Sequence, residues 1–147
     1  DDDLYFAWGY VNAQDRLFQM EITRRIAQGR ISEFAGESTL TKDIFLRAVG
    51  FYKIAKQNRE KISPEVRRFF QRYVDGINFF IAHEKVPIYL KLLGLKPERW
   101  EAYDATAVAM MLNWPLAYNM KHELIYYEMV KKRAEKEPEN SNPRPHS

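Results

Sequence analysis

An all-α fold is what this sequence predicts, and three observations carry the prediction. Apolar residues recur at three- and four-residue spacing over long stretches, most clearly in Val66, Phe69, Phe70, Tyr73, Val74, Ile77, Phe80 and Ile81, the pattern of one buried helix face. Helix starts and stops stand at the ends of such stretches, as at Ser63-Pro64-Glu65 and at Gly29. No run alternates polar and apolar residues well enough to make a strand. The 147 residues are one domain's worth of chain, 46% hydrophobic and 14% aromatic. The rings supply large buried contacts at roughly 25 cal/mol per Å² removed from water.

The elements follow in order. Asp3 can cap a first helix from about Leu4 to Gln28, its carboxylate accepting from free amides at the positive helix end. Leu4, Ala7, Val11, Phe18, Ile22 and Ile26 give that helix its stripe, Gly9 weakens its first turns and Gly29 ends it. A short turn over Ile31 to Phe34 closes at Gly36. A polar loop through Ser38, Thr39 and Thr41 leads to a second helix, Asp43 to Val49, and after Gly50 to a third, Phe51 to about Lys61. Ser63 caps the next, with Pro64 at a position where a missing amide hydrogen costs nothing. Pro87 opens a short apolar segment, Ile88 to Leu93, stopped by Gly94. Lys96-Pro97-Glu98-Arg99-Trp100 is a turn with an anchoring indole, and Asp104 caps a last long helix to about Lys136. Pro115 removes a backbone donor inside that helix and predicts a kink or break close to Trp114. Residues 1–137 are read as one helical domain, and residues 138–147, with three prolines and no periodicity, as a disordered tail or linker.

Composition narrows the function. A net charge of +3 and a pI near 9.0 are mildly basic, but Lys and Arg are interspersed with nearly as many acids, the pattern of a solvated face rather than of a nucleic-acid footprint. The chain has no cysteine, which removes disulfides and Cys-based zinc sites. No apolar run approaches the roughly 20 residues that span a bilayer. The opening Asp1-Asp2-Asp3 reads as a cut made just before a helix, with any secretory signal expected upstream of it.

Catalytic chemistry is sparse. A nucleophile needs an adjacent base; His83, His122 and His146 stand near a helix end, beside Glu123 and in the tail, and neither a zinc-helix motif nor GxSxG is present. Asp15 with Arg16, Glu21 with Arg24 and Arg25, and Glu33 are either surface pairs worth a few tenths of a kcal/mol each or partly covered forks holding one chain onto another. Their density beside Phe18 and Met20 favours a structural, interfacial role over a catalytic one. Glu123 alone reads as a solvated helix residue, and one carboxylate cannot hold a calcium that wants six to eight oxygens.

The stretch GYVNAQDRLFQMEITRRIAQGRISEFAG, Gly9 to Gly36, with Asp43, Arg47 and Gly50, the YVDGIN run from Tyr73 to Asn78, LGLKPERW ending at Trp100, and Asp104, resembles successive blocks of the penicillin acylase (penicillin amidase) family. The resemblance runs from Asp3 to about Glu128. It implies the helical α-subunit portion of an αββα N-terminal-nucleophile amidohydrolase. A precursor of that kind cuts itself into α and β subunits, and the new N-terminal Ser of β attacks the substrate with its own α-amino group as base. This chain then supplies no catalytic group and is inactive alone. The resemblance places Asn113, Leu116 and Ala117 in the acyl pocket, with Tyr118 bordering it, where penicillin G enzymes look to have Met, Arg and Phe at the first three. These departures point away from phenylacetyl and towards a longer aliphatic acyl group. Glu123 falls where α gives a carboxylate to calcium, the other ligands coming from β. Asp15, Arg16, Arg24 and Arg25 would hold the subunit together or against β. The substrate class is a small-molecule amide, a β-lactam or an acylated homoserine lactone, and the location periplasmic or extracellular. The isolated fragment is expected to self-associate through apolar surface left bare. The rival reading is a non-catalytic helical interaction module that is monomeric and has a closed core, and a basic nucleic-acid binder is a third.

Overall fold

The computed structural model describes residues 1–117 and 119–136. They are mostly helical, with no strand among the described residues, so the all-α class holds. The chain divides into two compact units, Asp1–Leu112 and Asn113–Ser147. The disordered tail or linker expected at 138–147 lies outside the described residues.

The first unit begins with α1 (Asp2–Ala27). Its cap is Asp1, whose Oδ1 accepts from the Asp3 amide at 3.3 Å, so the cap lies two residues ahead of the expected Asp3. Asp2 and Asp3 then occupy the first turn, and Arg24 and Arg25 the last, each at the helix pole that favours its charge. The helix is interrupted at Arg16, which leaves helical geometry (φ −138°, ψ 20°). It ends at Gly29, where φ is +66° and the Arg30 amide donates to the Arg25 carbonyl at 2.8 Å, closing carbonyls that the helix leaves open.

Two short helices follow, α2 (Ser32–Ala35) and α3 (Leu40–Val49), then α4 (Phe51–Gln57). The third expected helix is shorter than the sequence suggested, because Asn58 leaves helical geometry and Arg59–Lys61 form a separate 3₁₀ turn. Asp43 lies inside α3 instead of starting it. Its carboxylate is turned back onto α2, accepting from the Ile31 amide (2.6 Å), the Ser32 amide (2.9 Å) and the Ser32 hydroxyl (2.6 Å). Next comes α5 (Pro64–His83), with Ser63 Oγ accepting from the Val66 amide as expected, then α6 (Ile88–Leu92) and α7 (Ala102–Asn113). Asp104 is not the cap of α7. It sits in the first turn and accepts from the Glu101 amide at 2.8 Å, the backward-reaching half of a capping box.

The principal packing is α1 against α5. Ala13 and Leu17 from α1 meet Val74, Ile77 and Phe80 from α5, and Leu90 and Trp100 complete the core. Two glycines permit the close approach. A Cβ on Gly9 would stand 1.9 Å from the Tyr73 carbonyl oxygen, and one on Gly76 would stand 2.0 Å from that of Phe6, so no residue with a side chain fits either place without moving a helix. A smaller core of Ala27, Ala55 and Ala107, flanked by Tyr52 and Tyr103, joins α1, α4 and α7.

In the second unit, a 3₁₀ turn over Trp114–Ala117 precedes α8 (Asn119–Lys136). The long helix expected from Asp104 is thus two helices, and the interruption falls where Pro115 removes a donor. Leu124, Ile125, Tyr126, Tyr127, Met129 and Val130 of α8 are all exposed.

Candidate functional site

The expected interface residues Arg24 and Arg25 lie at the centre of a buried charge cluster, with exposures of 1% and 2% around a fully buried Glu21. Their position at the end of α1 directs both guanidinium groups at the segment before α7. Glu21 Oε2 accepts from Arg24 Nη2 at 2.8 Å and from Arg25 Nη1, while Oε1 accepts from the Trp100 indole at 2.8 Å. Arg24 Nη1 donates to the carbonyls of Glu98 (3.3 Å) and Arg99 (3.0 Å), and Arg25 Nη2 to that of Lys96 (2.9 Å). The Arg24 guanidinium also lies over the Trp100 ring, 4.9 Å from its centre, a favourable contact for a desolvated cation.

A second, wetter layer surrounds this. Glu98 pairs with Arg30 at 2.7 Å, and Arg30 pairs with Glu33 at 2.6 Å. The bond to Arg30 holds the Glu98 carboxyl down to about 2, helped by the charges of Arg24 and Arg25. Asp104 is buried and shifted upwards, because burial outweighs the Glu101 amide and the Arg24 charge that favour its ionised form. Its Oδ1 accepts from Gln28 at 2.9 Å. The cluster is a lock between α1 and the 96–104 segment. Both Glu21 oxygens are committed to cationic or indole donors away from water, which suits a structural anchor and keeps the carboxylate out of reach of a substrate proton.

Of the other predicted residues, Asp15 and Arg16 are exposed and take no part in the cluster. Asn113 closes α7, Leu116 is 76% exposed in the 3₁₀ turn, and Ala117 ends that turn. Tyr118 lies outside the described residues. Glu123 is exposed on α8, and no group of three or more His, Cys, Asp or Glu that could hold a metal exists among the described residues. A calcium takes six to eight oxygens, of which Glu123 offers one carboxylate.

The pair nearest to a nucleophile with a base is Ser32 with Asp43. Burial would raise the Asp43 carboxyl, but the Ser32 hydroxyl and the Ser32 and Ile31 amides together hold it below the ordinary range. A carboxylate so stabilised is a poor proton acceptor, and its geometry is that of a loop clamp. His83 Nδ1 lies 2.8 Å from the Phe79 carbonyl oxygen, with the ring stacked on Phe79.

Sequence reasoning did not assign Glu98 or Asp43 these roles. Glu98 is 68 residues from Arg30, beyond any helical spacing rule, and Asp43 clamps amides that every sequence carries. It also missed a groove of about 440 Å³ on the first unit, where Met20, Phe70, Tyr73 and Val108 lie between the exposed Trp8 and Leu112, and Asn12, Arg16 and Gln19 add polar lining.

The comparisons with known proteins agree with this architecture. The family model described as Penicillin amidase matches residues 1–144. An acyl-homoserine lactone acylase, QuiP, of Pseudomonas aeruginosa is 37% identical over 132 residues, which are 88% of this chain and 16% of that protein. Penicillin acylase 2 proenzyme of Pseudomonas sp. (strain SE83) is 42% identical over 111 residues, 75% of this chain and 14% of that protein. The solved thermostable penicillin G acylase from Alcaligenes faecalis shares the fold, with a TM-score of 0.65 at 21% identity, covering 98% of this chain and 85% of the solved one. The chain therefore spans only 16% and 14% of those two curated relatives. The match over nearly its whole length establishes that the chain belongs to the penicillin amidase family.

Proposed function

We propose that this chain is the α portion of an amidohydrolase that cleaves the amide between an acyl group and an amine. One observation carries the reading. The chain covers 14% of a relative named a proenzyme, yet 85% of a solved acylase chain of the same fold, the relation expected when a long precursor is cut and its helical part persists as a separate polypeptide. The nucleophile is then the N-terminal Ser of β. Its hydroxyl proton passes to its own α-amino group, Oγ bonds to the substrate carbonyl carbon, and the amine departs with a proton. Water then releases the acid and restores the Ser. This chain, inactive alone, contributes walls and support.

Within it, Asn113, Leu116, Ala117 and Tyr118 line the acyl pocket. Ending α7 at Asn113 and turning through Pro115 presents successive side chains at a helix break. An apolar Leu116 and a short Ala117 suit a longer aliphatic acyl group, as in an acylated homoserine lactone. Glu123 adds its carboxylate to a calcium whose other oxygens come from β. Asp15, Arg16, Arg24 and Arg25 hold the α portion together or against β, the last two as the internal lock. The location that goes with this reading is the periplasm or outside the cell.

The test uses the complete polypeptide carrying this chain. Amine release is measured over a series of homoserine lactone amides of increasing acyl length, with phenylacetyl amides alongside. Fastest release from a medium or long aliphatic chain is expected. Phenylacetyl amides turning over clearly fastest would remove the acyl assignment, and no turnover of any amide would remove the amidase reading.

A further inference from the structure

We infer that the groove between α1, α5 and α7 is the seat of a segment from the proposed β portion, one that presents consecutive apolar side chains and a carboxylate placed to meet Arg16. This rests on the amidohydrolase reading for the identity of the partner. The surface itself is read from this chain. Trp8 and Leu112 are 52% and 58% exposed at the groove, an arrangement that leaves a continuous aromatic and aliphatic surface in water, and such surfaces mark sites of association.

Charge names the second half of the partner. Among the described residues of the first unit, Arg16 is the arginine with no hydrogen bond or ion pair, whereas Arg24, Arg25, Arg30, Arg68 and Arg72 each have a carboxylate. It lies on the groove, at the point where α1 leaves helical geometry. A guanidinium beside apolar surface binds a carboxylate well, because its planar fork is weakly hydrated and matches two oxygens at once. The relatives are several times longer than this chain, so their own remaining length can supply the segment.

The experiment uses the complete polypeptide with single cysteines introduced into this cysteine-free chain. Gln19→Cys places a thiol at the groove and Lys53→Cys places one on the exposed face of α4. Arg16 and Gln19 are exposed, and no side-chain hydrogen bond or ion pair of either is found among the described residues. Maleimide labelling of Gln19→Cys is expected to be about tenfold or more slower than that of Lys53→Cys. Adding Arg16→Glu should restore fast labelling at position 19, and Arg16→Lys should largely keep the protection.

Equal labelling rates at the two positions overturn the inference. So does protection that disappears on dilution, which makes a second copy the occupant, or protection that Arg16→Glu leaves unchanged. Amide turnover is read on the same preparations. Protected thiol without turnover keeps the docking surface and removes the amidase reading; turnover with a freely labelled thiol does the reverse.

Discussion

Replacing Gly76 by Ala tests the packing on which the fold depends, because two effects predict opposite signs. Helix propensity alone favours Ala over Gly by about 1 kcal/mol inside a helix. The structure opposes it: the new Cβ would lie 2.0 Å from the Phe6 carbonyl oxygen and 2.8 Å from the Tyr10 amide nitrogen. Restoring ordinary contact requires a retreat of roughly 1.4 Å, and a gap of even 0.5–1 Å forfeits about a quarter to a half of the dispersion between facing atoms. The atoms lost are those of Ala13, Leu17, Val74 and Ile77, all at most 1% exposed. Overpacking costs about 1–3 kcal/mol, occasionally more, and the obstacle here is backbone, which cannot swing aside. Subtracting the propensity gain from the upper end of that range leaves a net loss of roughly 2 kcal/mol, or a fall in Tm on the order of 4–8 °C for a domain of this size. Thermal denaturation followed by far-ultraviolet circular dichroism measures it. Gly9→Ala should behave alike, and the double variant should lose less than the sum, since one separation of α1 from α5 serves both. A Gly76→Ala protein as stable as the parent, or more so, would refute the argument.

Further expectations concern the charged groups. Glu21→Gln removes the fully buried carboxylate that binds both Arg24 and Arg25, leaving them only the longer contacts to Glu98, Glu33 and Asp104, and should cost about 3–5 kcal/mol in urea unfolding, whereas a loss below about 1 kcal/mol would mean that the cluster is solvated. Glu98 has a folded pKa held below its ordinary 4.5, down to about 2, so its contribution is present above pH 4.5 and is lost as pH falls towards 2. Glu98→Gln should flatten the decline of the urea midpoint across that window, and an unchanged slope would argue against the assignment. Asp104, shifted upwards, acts with the opposite sign and favours the fold as pH falls through its folded pKa. Trp100→Phe keeps most of the packing but removes the donor to Glu21, and should cost about 1.5–3 kcal/mol by the same assay. In the complete polypeptide, Glu123→Gln should weaken calcium binding by roughly tenfold or more by calorimetry; unaltered affinity would place the ligand elsewhere.

The helices were legible because periodicity and punctuation agree. α5 shows both, with Ser63-Pro64-Glu65 at its start and eight apolar residues on one face. Ends were less legible where a cap is chosen among equals: Asp1, Asp2 and Asp3 are chemically identical candidates, and Glu101 takes the cap of α7 because Asp104 reaches back to its amide. The pairing of Glu21 with Arg24 and Arg25 was readable from spacing, but its burial was not. That burial depends on Trp100 and on the carbonyls of Lys96, Glu98 and Arg99, more than seventy residues away. Gly9 read as a weakness in α1, when it is the place where another helix's backbone rests. The proposed pocket residues came from family resemblance; nothing in the spacing of Asn113, Leu116 and Ala117 points to an acyl group.

The contact between α1 and α5 also sets a timetable for biosynthesis. On the ribosome α1 emerges first, and its seam of Ala13 and Leu17 has no partner until Val74 and Ile77 have been made. At ordinary synthesis rates that interval is roughly 3–15 s, and the two arginines at the end of α1 wait longer still for the carbonyls around Glu98. A nascent chain that displays an unsheltered amphipathic helix for several seconds is a natural client for a holdase chaperone. The glycines that let the two helices touch so closely therefore delay the first secure step of folding until α5 has been made.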